Sequence, residues 1–175
     1  MKVLEGALTF NVFEKTGSEE QLEITRTYTF LPSSNVFEEP QGVLHEVCNE
    51  SDTETAVSVH MYSPPYIECL FKCPHTKENK AIPVAYCGKT DPDMMSRLCV
   101  RLTFDQHVFT NFDELVQMIG NHIASNKEIS SILNHITLDQ REVEQYCKFS
   151  KSHYTRNMIA KSDEFVLVLT CWNST

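Results

Sequence analysis

The stretch Leu44–Cys69, LHEVCNESDTETAVSVHMYSPPYIEC, decides the fold. Successive side chains of a β-strand point to opposite faces. Ala56, Ser58, His60 and Tyr62 therefore share one face of a strand over Glu54–Ser63, and Val57, Val59 and Met61 share the other. The first of these faces carries no charge, which suits a buried polar pocket better than a solvated surface. Pro64 and Pro65 have no N–H to give to a ladder, so the strand stops there. Upstream, Val43–Val47 is a shorter apolar run that carries His45, and Asn49–Thr53 is a polar turn between the two strands.

Working outward, Leu4, Leu8, Phe10 and Val12 alternate with polar residues and predict one half-buried strand. Leu22, Ile24, Tyr28 and Phe30 alternate in the same way. With the polar turn from Lys15 to Glu20 between them, the two segments read as a hairpin. Leu70–Phe71 and Ile82–Tyr86 predict two further short strands. From Phe112 to Ile123 the period changes: Phe112, Leu115, Val116, Ile119 and Ile123 recur at helical spacing behind Asn111 as a cap. A short helix is expected around Ile129–Ile136, and another from Thr137 or Asp139 to Tyr146. Phe165–Trp172 is a continuous apolar run and predicts a buried strand. The fold class is mainly β, a small barrel with a few accessory helices.

A chain of 175 residues with 41% hydrophobic content can bury a core. Its formal charge of −9 argues against nucleic acid and anionic membranes as partners. No apolar run approaches membrane-spanning length. The seven cysteines are odd in number and include no C-x-x-C pair, a pattern of reduced thiols that points to the cytoplasm. Cys69, Cys73 and His75 form a C-x3-C-x-H cluster, but no second ligand pair follows at zinc-finger spacing, so a solvated loop is the simpler reading.

The pattern LHxVxNxSxTExAVSxHxYSPP resembles the C-terminal half of cysteine dioxygenase, a cupin-type non-haem iron enzyme. MKVLEGALTF at residues 1–10 resembles the strand that follows that family's first metal loop. YCKFSKSHYTRNMI at residues 146–159, followed by FVLVLTCW at 165–172, resembles the family's N-terminal half. The order is thus permuted. Residues 1–88 resemble the C-terminal half, 89–111 are a junction, and 112–175 resemble the N-terminal half, together one cupin-like domain. The H-x-H histidine pair and nearby cysteine of the family's first metal loop have no counterpart in the sequence. A junction between two tandem copies, a circular permutant and a mispredicted gene product would each give this order.

The resemblance implies roles residue by residue. His45 matches the third iron ligand, and a neutral imidazole suits ferrous iron. Ser58, His60 and Tyr62 match a hydrogen-bonded relay that orients the Tyr62 hydroxyl towards the site of oxygen activation. Tyr154 and Arg156, two apart and so expected on one face of a strand, match the pair that holds the substrate, since a guanidinium grips a carboxylate through two parallel hydrogen bonds. Without the resemblance, His45 reads as a core or rim histidine, the Ser/His/Tyr set as a buried network fixing register, and Tyr154-x-Arg156 as a surface pair. Ser58 and His60 lack the acid and the nucleophile elbow of a serine hydrolase.

The implied function is oxidation of L-cysteine by dioxygen to cysteine sulfinate in a cytoplasmic monomer that carries Fe(II). The competing reading is a metal-free cupin remnant or binding module.

Overall fold

The computed structural model describes residues 1–16, 21–39, 42–72, 78–87, 111–125 and 128–174. The turn at 17–20, the Pro40-Gln41 dipeptide, Cys73 and His75 of the candidate zinc cluster, and all but the last residue of the 89–111 junction lie outside them. The described chain is mainly β. Strands β1 (Lys2–Glu5), β2 (Leu8–Thr16), β3 (Gln21–Phe30), β4 (Leu44–Cys48), β5 (Ala56–Tyr62), β6 (Glu68–Lys72) and β7 (Asn79–Pro83) come first. Helices α1 (Phe112–Ala124), α2 (Ser130–Asn134) and α3 (Gln140–Tyr146) follow, then β8 (Thr155–Lys161) and β9 (Val166–Trp172).

The strands form three antiparallel sheets: β1-β5-β9-β8, β3-β2-β4 and the ribbon β6-β7. Strands from both ends of the sequence share the first sheet, with β5 hydrogen-bonded between β1 and β9. One face of this sheet packs on the helices. Val57, Val59, Leu167, Leu169 and Cys171 join Leu115, Ile119 and Ile132 in one buried cluster. The other face meets the three-stranded sheet through Val3, Leu8, Ala56 and Trp172, with Phe30 and Val47 packed against them.

Three expectations are adjusted. The single strand expected over Leu4–Val12 is two strands in different sheets, broken at Gly6. Gly6 has φ +68°, and a Cβ there would lie 2.6 Å from the Thr55 carbonyl oxygen, so only glycine fits this corner without strain. The strand expected over Ile82–Tyr86 lies earlier, at Asn79–Pro83, where pairing with β6 sets its position. Tyr154 precedes β8 rather than lying within it. The caps are as read: Asn111 Oδ1 accepts from the Glu114 N–H, and of the two candidates for α3 it is Asp139 that accepts, from the Arg141 N–H.

Candidate active site

The site lies on the face of the four-stranded sheet that looks away from the helices. Register puts Ser58, Thr170 and Arg156 in one row across β5, β9 and β8, with His60, Val168 and Met158 in the next. The alternation of β5 thus delivers its polar side chains to one surface, while Val57 and Val59 anchor the strand in the core.

The hydrogen bonds on this face run in one direction. Trp172 Nε1 can only donate, and it donates to Ser58 Oγ at 2.9 Å. Among the described residues the Ser58 proton then has one acceptor, His60 Nε2 at 2.8 Å. His60 accordingly carries its own proton on Nδ1 and donates it to the Tyr62 hydroxyl at 3.2 Å. The Tyr62 hydroxyl in turn bonds to Tyr66, whose ring stands edge-on at 4.6 Å. Burial drives the His60 pKa well below the ordinary histidine value, and the nearby positive charges of the N-terminus, Arg156 and His45 push the same way. The ring is neutral, as this chain of donors requires. Burial likewise raises the Tyr62 pKa strongly, with Tyr66 adding to it, so the phenol keeps its proton.

Arg156 reaches the same surface from β8. Its guanidinium carbon lies 5.3 Å from the centre of the Tyr154 ring, a cation–π contact. Burial disfavours its charge, but the nearby Tyr66, Tyr154 and Tyr62 hydroxyls and the Cys69 thiol outweigh that and raise its pKa. No carboxylate pairs with it among the described residues. Tyr154 is 43% exposed and stacks on Trp172 at 4.8 Å, so this expected substrate contact sits at the rim.

His45 comes from the other sheet. Its ring stacks on Phe10 at 4.8 Å, and its Nδ1 bonds to the Val43 carbonyl at 3.0 Å and to Glu39 Oε1 at 2.8 Å. Burial works against protonation, but the Glu39 carboxylate and the Val43 carbonyl outweigh it and raise the His45 pKa. His45 Nε2 makes no hydrogen bond among the described residues.

The expected residues thus gather in one region, and the structure adds Glu39, Tyr66, Thr170 and Trp172 around them. Tyr66 directly follows the Ser-Pro-Pro stop and Trp172 is the single tryptophan, but no spacing rule ties either to the relay. Thr170 Oγ1 is buried between Ser58 and Arg156 with no hydrogen-bond partner among the described residues.

Residues 1–71 match the family model for cysteine dioxygenase type I, a span that holds His45, Ser58, His60 and Tyr62. The chain is similar to that family over this span, which is less than half of its length. Tyr154 and Arg156 lie beyond the matched span. No curated protein and no solved structure matches the chain.

The family implies iron. Among the described residues, no three His, Cys, Asp or Glu side chains converge as a metal would need. One imidazole whose Nδ1 already holds a carboxylate does not make an iron site. The donor set of the described residues does not fit the cation by itself. No helix among the described residues is long and apolar enough to cross a membrane.

Proposed function

We propose that the protein acts as a cysteine dioxygenase, converting L-cysteine and dioxygen to cysteine sulfinate, with ferrous iron as the cofactor that the family implies. The observation that carries this reading is Arg156, a half-buried guanidinium with no acid partner among the described residues, set beside the Ser58–His60–Tyr62 relay. A charge held away from water without a counter-charge is costly, so such an arginine is poised for an anionic ligand. The carboxylate of an amino acid fits its planar fork. The neutral His60 and protonated Tyr62 hold a hydroxyl proton at the same surface, and the Trp172 donor fixes the far end of the chain.

In this reading His45 is the one iron donor among the described residues, and the rest of the set would have to come from outside them. The permuted order has support in the sheet. β9 and β1 flank β5 on either side, so a segment joining residue 172 to residue 1 would cross β5, where Ser58 and His60 lie.

The incomplete donor set favours a second reading, a module that binds a carboxylate-bearing thiol without turning it over. Sulfinate formation from L-cysteine by the purified chain, with ferrous iron supplied, separates the two. The dioxygenase reading expects turnover, with kcat/KM falling roughly ten- to hundredfold in Arg156→Ala through loss of charged hydrogen bonds. Binding of L-cysteine without sulfinate would leave the second reading.

A further inference from the structure

Thr170 lies in the row that crosses the candidate site, opposite Ser58 on one side and Arg156 on the other. Its neighbours on β9, Leu169 and Cys171, belong to the helix-side core, so Thr170 points to the site. It is 1% exposed, and its Oγ1 is buried without a hydrogen-bond partner among the described residues. Thr170 is also the one hydroxyl in the apolar run Phe165–Trp172. A buried hydroxyl in this state is a cost to the fold that an apolar side chain of the same shape does not carry. Valine would suit the strand at least as well.

Arg156 complements it. A guanidinium has several N–H donors and no acceptor. Among the described residues the Arg156 donors have no hydrogen-bond or ion-pair partner, and the group rests over the ring of Tyr154 at the rim. Directly opposed residues of an antiparallel pair have Cβ atoms about 4.5–5.5 Å apart, well within the reach of an arginine. A spare acceptor and a set of spare donors therefore stand side by side in the row. Because the Thr170 oxygen is closed to water, its partner has to be a group already next to it. Ser58 is committed to His60 and Trp172, which leaves Arg156.

We propose that Thr170 is a positioning residue for carboxylate binding: when a ligand carboxylate draws Arg156 off the Tyr154 ring, one guanidinium N–H comes onto Thr170 Oγ1, which holds the fork in its gripping orientation. This role rests on the reading of Arg156 as the group that holds the carboxylate. Two parallel N–H groups take the carboxylate, and the others remain for the row. The unpaired hydroxyl is then a property of the empty site. A ligand with a carboxylate completes two sets of hydrogen bonds, its own and that of Thr170, and a ligand without one completes neither. Thr170 touches Arg156 and not the ligand.

The test is a double-mutant cycle on the full chain, supplied with ferrous iron and free of oxygen. It reads binding of L-cysteine and of its carboxylate-free analogue cysteamine, and the thermal midpoint of the ligand-free protein. Thr170→Val removes the hydroxyl at constant shape. Its ligand-free midpoint is expected at or above that of the wild type, while L-cysteine binds about three- to tenfold more weakly, the contribution of one hydrogen bond. Cysteamine binding should not change, and Thr170→Ser, which keeps the oxygen, should bind L-cysteine as the wild type does. In an Arg156→Ala background Thr170→Val should have no further effect. A lowered midpoint would mean a hydroxyl already paired in the fold, and an equal loss for both ligands, or a loss that persists without Arg156, would remove Arg156 as the route; each overturns the proposal. A wild type that prefers L-cysteine beside an unaffected Thr170→Val overturns this role alone, whereas equal binding of the two ligands by the wild type overturns the carboxylate reading and this role with it.

Discussion

Ser58 is a small residue with two demands on one oxygen. It accepts from Trp172 and donates to His60, so Ser58→Ala leaves an indole N–H and an imidazole nitrogen without partners. The cost expected is about 1–3 kcal/mol for each stranded buried group, read as a lower urea midpoint at unchanged m-value. His60 gives a pH signature. Between the ordinary value near 6.5 and its lowered value in the fold, the unfolded chain holds a proton that the folded chain does not. His60 therefore makes stability fall as pH drops below about 6.5. His45 works in the opposite sense: its raised pKa gives stability that is full below 6.5 and lost as pH rises through the folded value. Unfolding free energy measured from pH 5 to 8 should thus lose less on acidification in His60→Asn than in the wild type; an unchanged slope would contradict a neutral His60. At this scale the sequence was informative where alternation operates, as at Ser58, His60 and Tyr62. It was silent on Trp172 and Tyr66, because their contacts depend on the β5–β9 register and on the chain path after the proline stop.

The elements were legible where one period dominates. The apolar spacing of α1, its Asn111 cap, and the buried run of β9 all appear as read. Pattern gave way where backbone geometry intervenes. Apolar alternation runs straight through Gly6, yet the chain turns there from one sheet to the next, because a single positive-φ residue outweighs a periodic signal. Gly6→Ala is accordingly expected to destabilise by more than about 1 kcal/mol, since it adds strain and drives a methyl into the Thr55 carbonyl. A thermal melt checks this, and a midpoint equal to the wild type would contradict it. β7 was misplaced for another reason. All five of its residues are exposed, so no buried face fixes its position and only pairing with β6 does.

For the whole molecule, the informative fact is which strands share a sheet. β1 and β5 come from the region that matches the family model, β8 and β9 from the far end of the sequence, and β5–β9 pairing joins them along seven residue pairs. The single tryptophan, Trp172, sits at that seam opposite Ala56. Its fluorescence and the far-UV circular dichroism should therefore report one coincident unfolding transition; two separated transitions would mean that the halves fold apart. The permuted order is a reading of the sequence, carried by short motifs at both ends of the chain. The completeness of the metal site cannot be read in that way, since ligands are recognised only when they converge in space.

In the proposed function, Arg156 and its neighbours form a site for a thiol that bears a carboxylate. The most direct measurement is oxygen-free binding of L-cysteine beside cysteamine, which has the same thiol and amine but no carboxylate, to the iron-supplied chain and to Arg156→Ala. The wild type should prefer L-cysteine by roughly tenfold or more, the contribution of one charge-assisted carboxylate contact, and the preference should disappear in the variant. Equal binding of the two ligands by the wild type would contradict it.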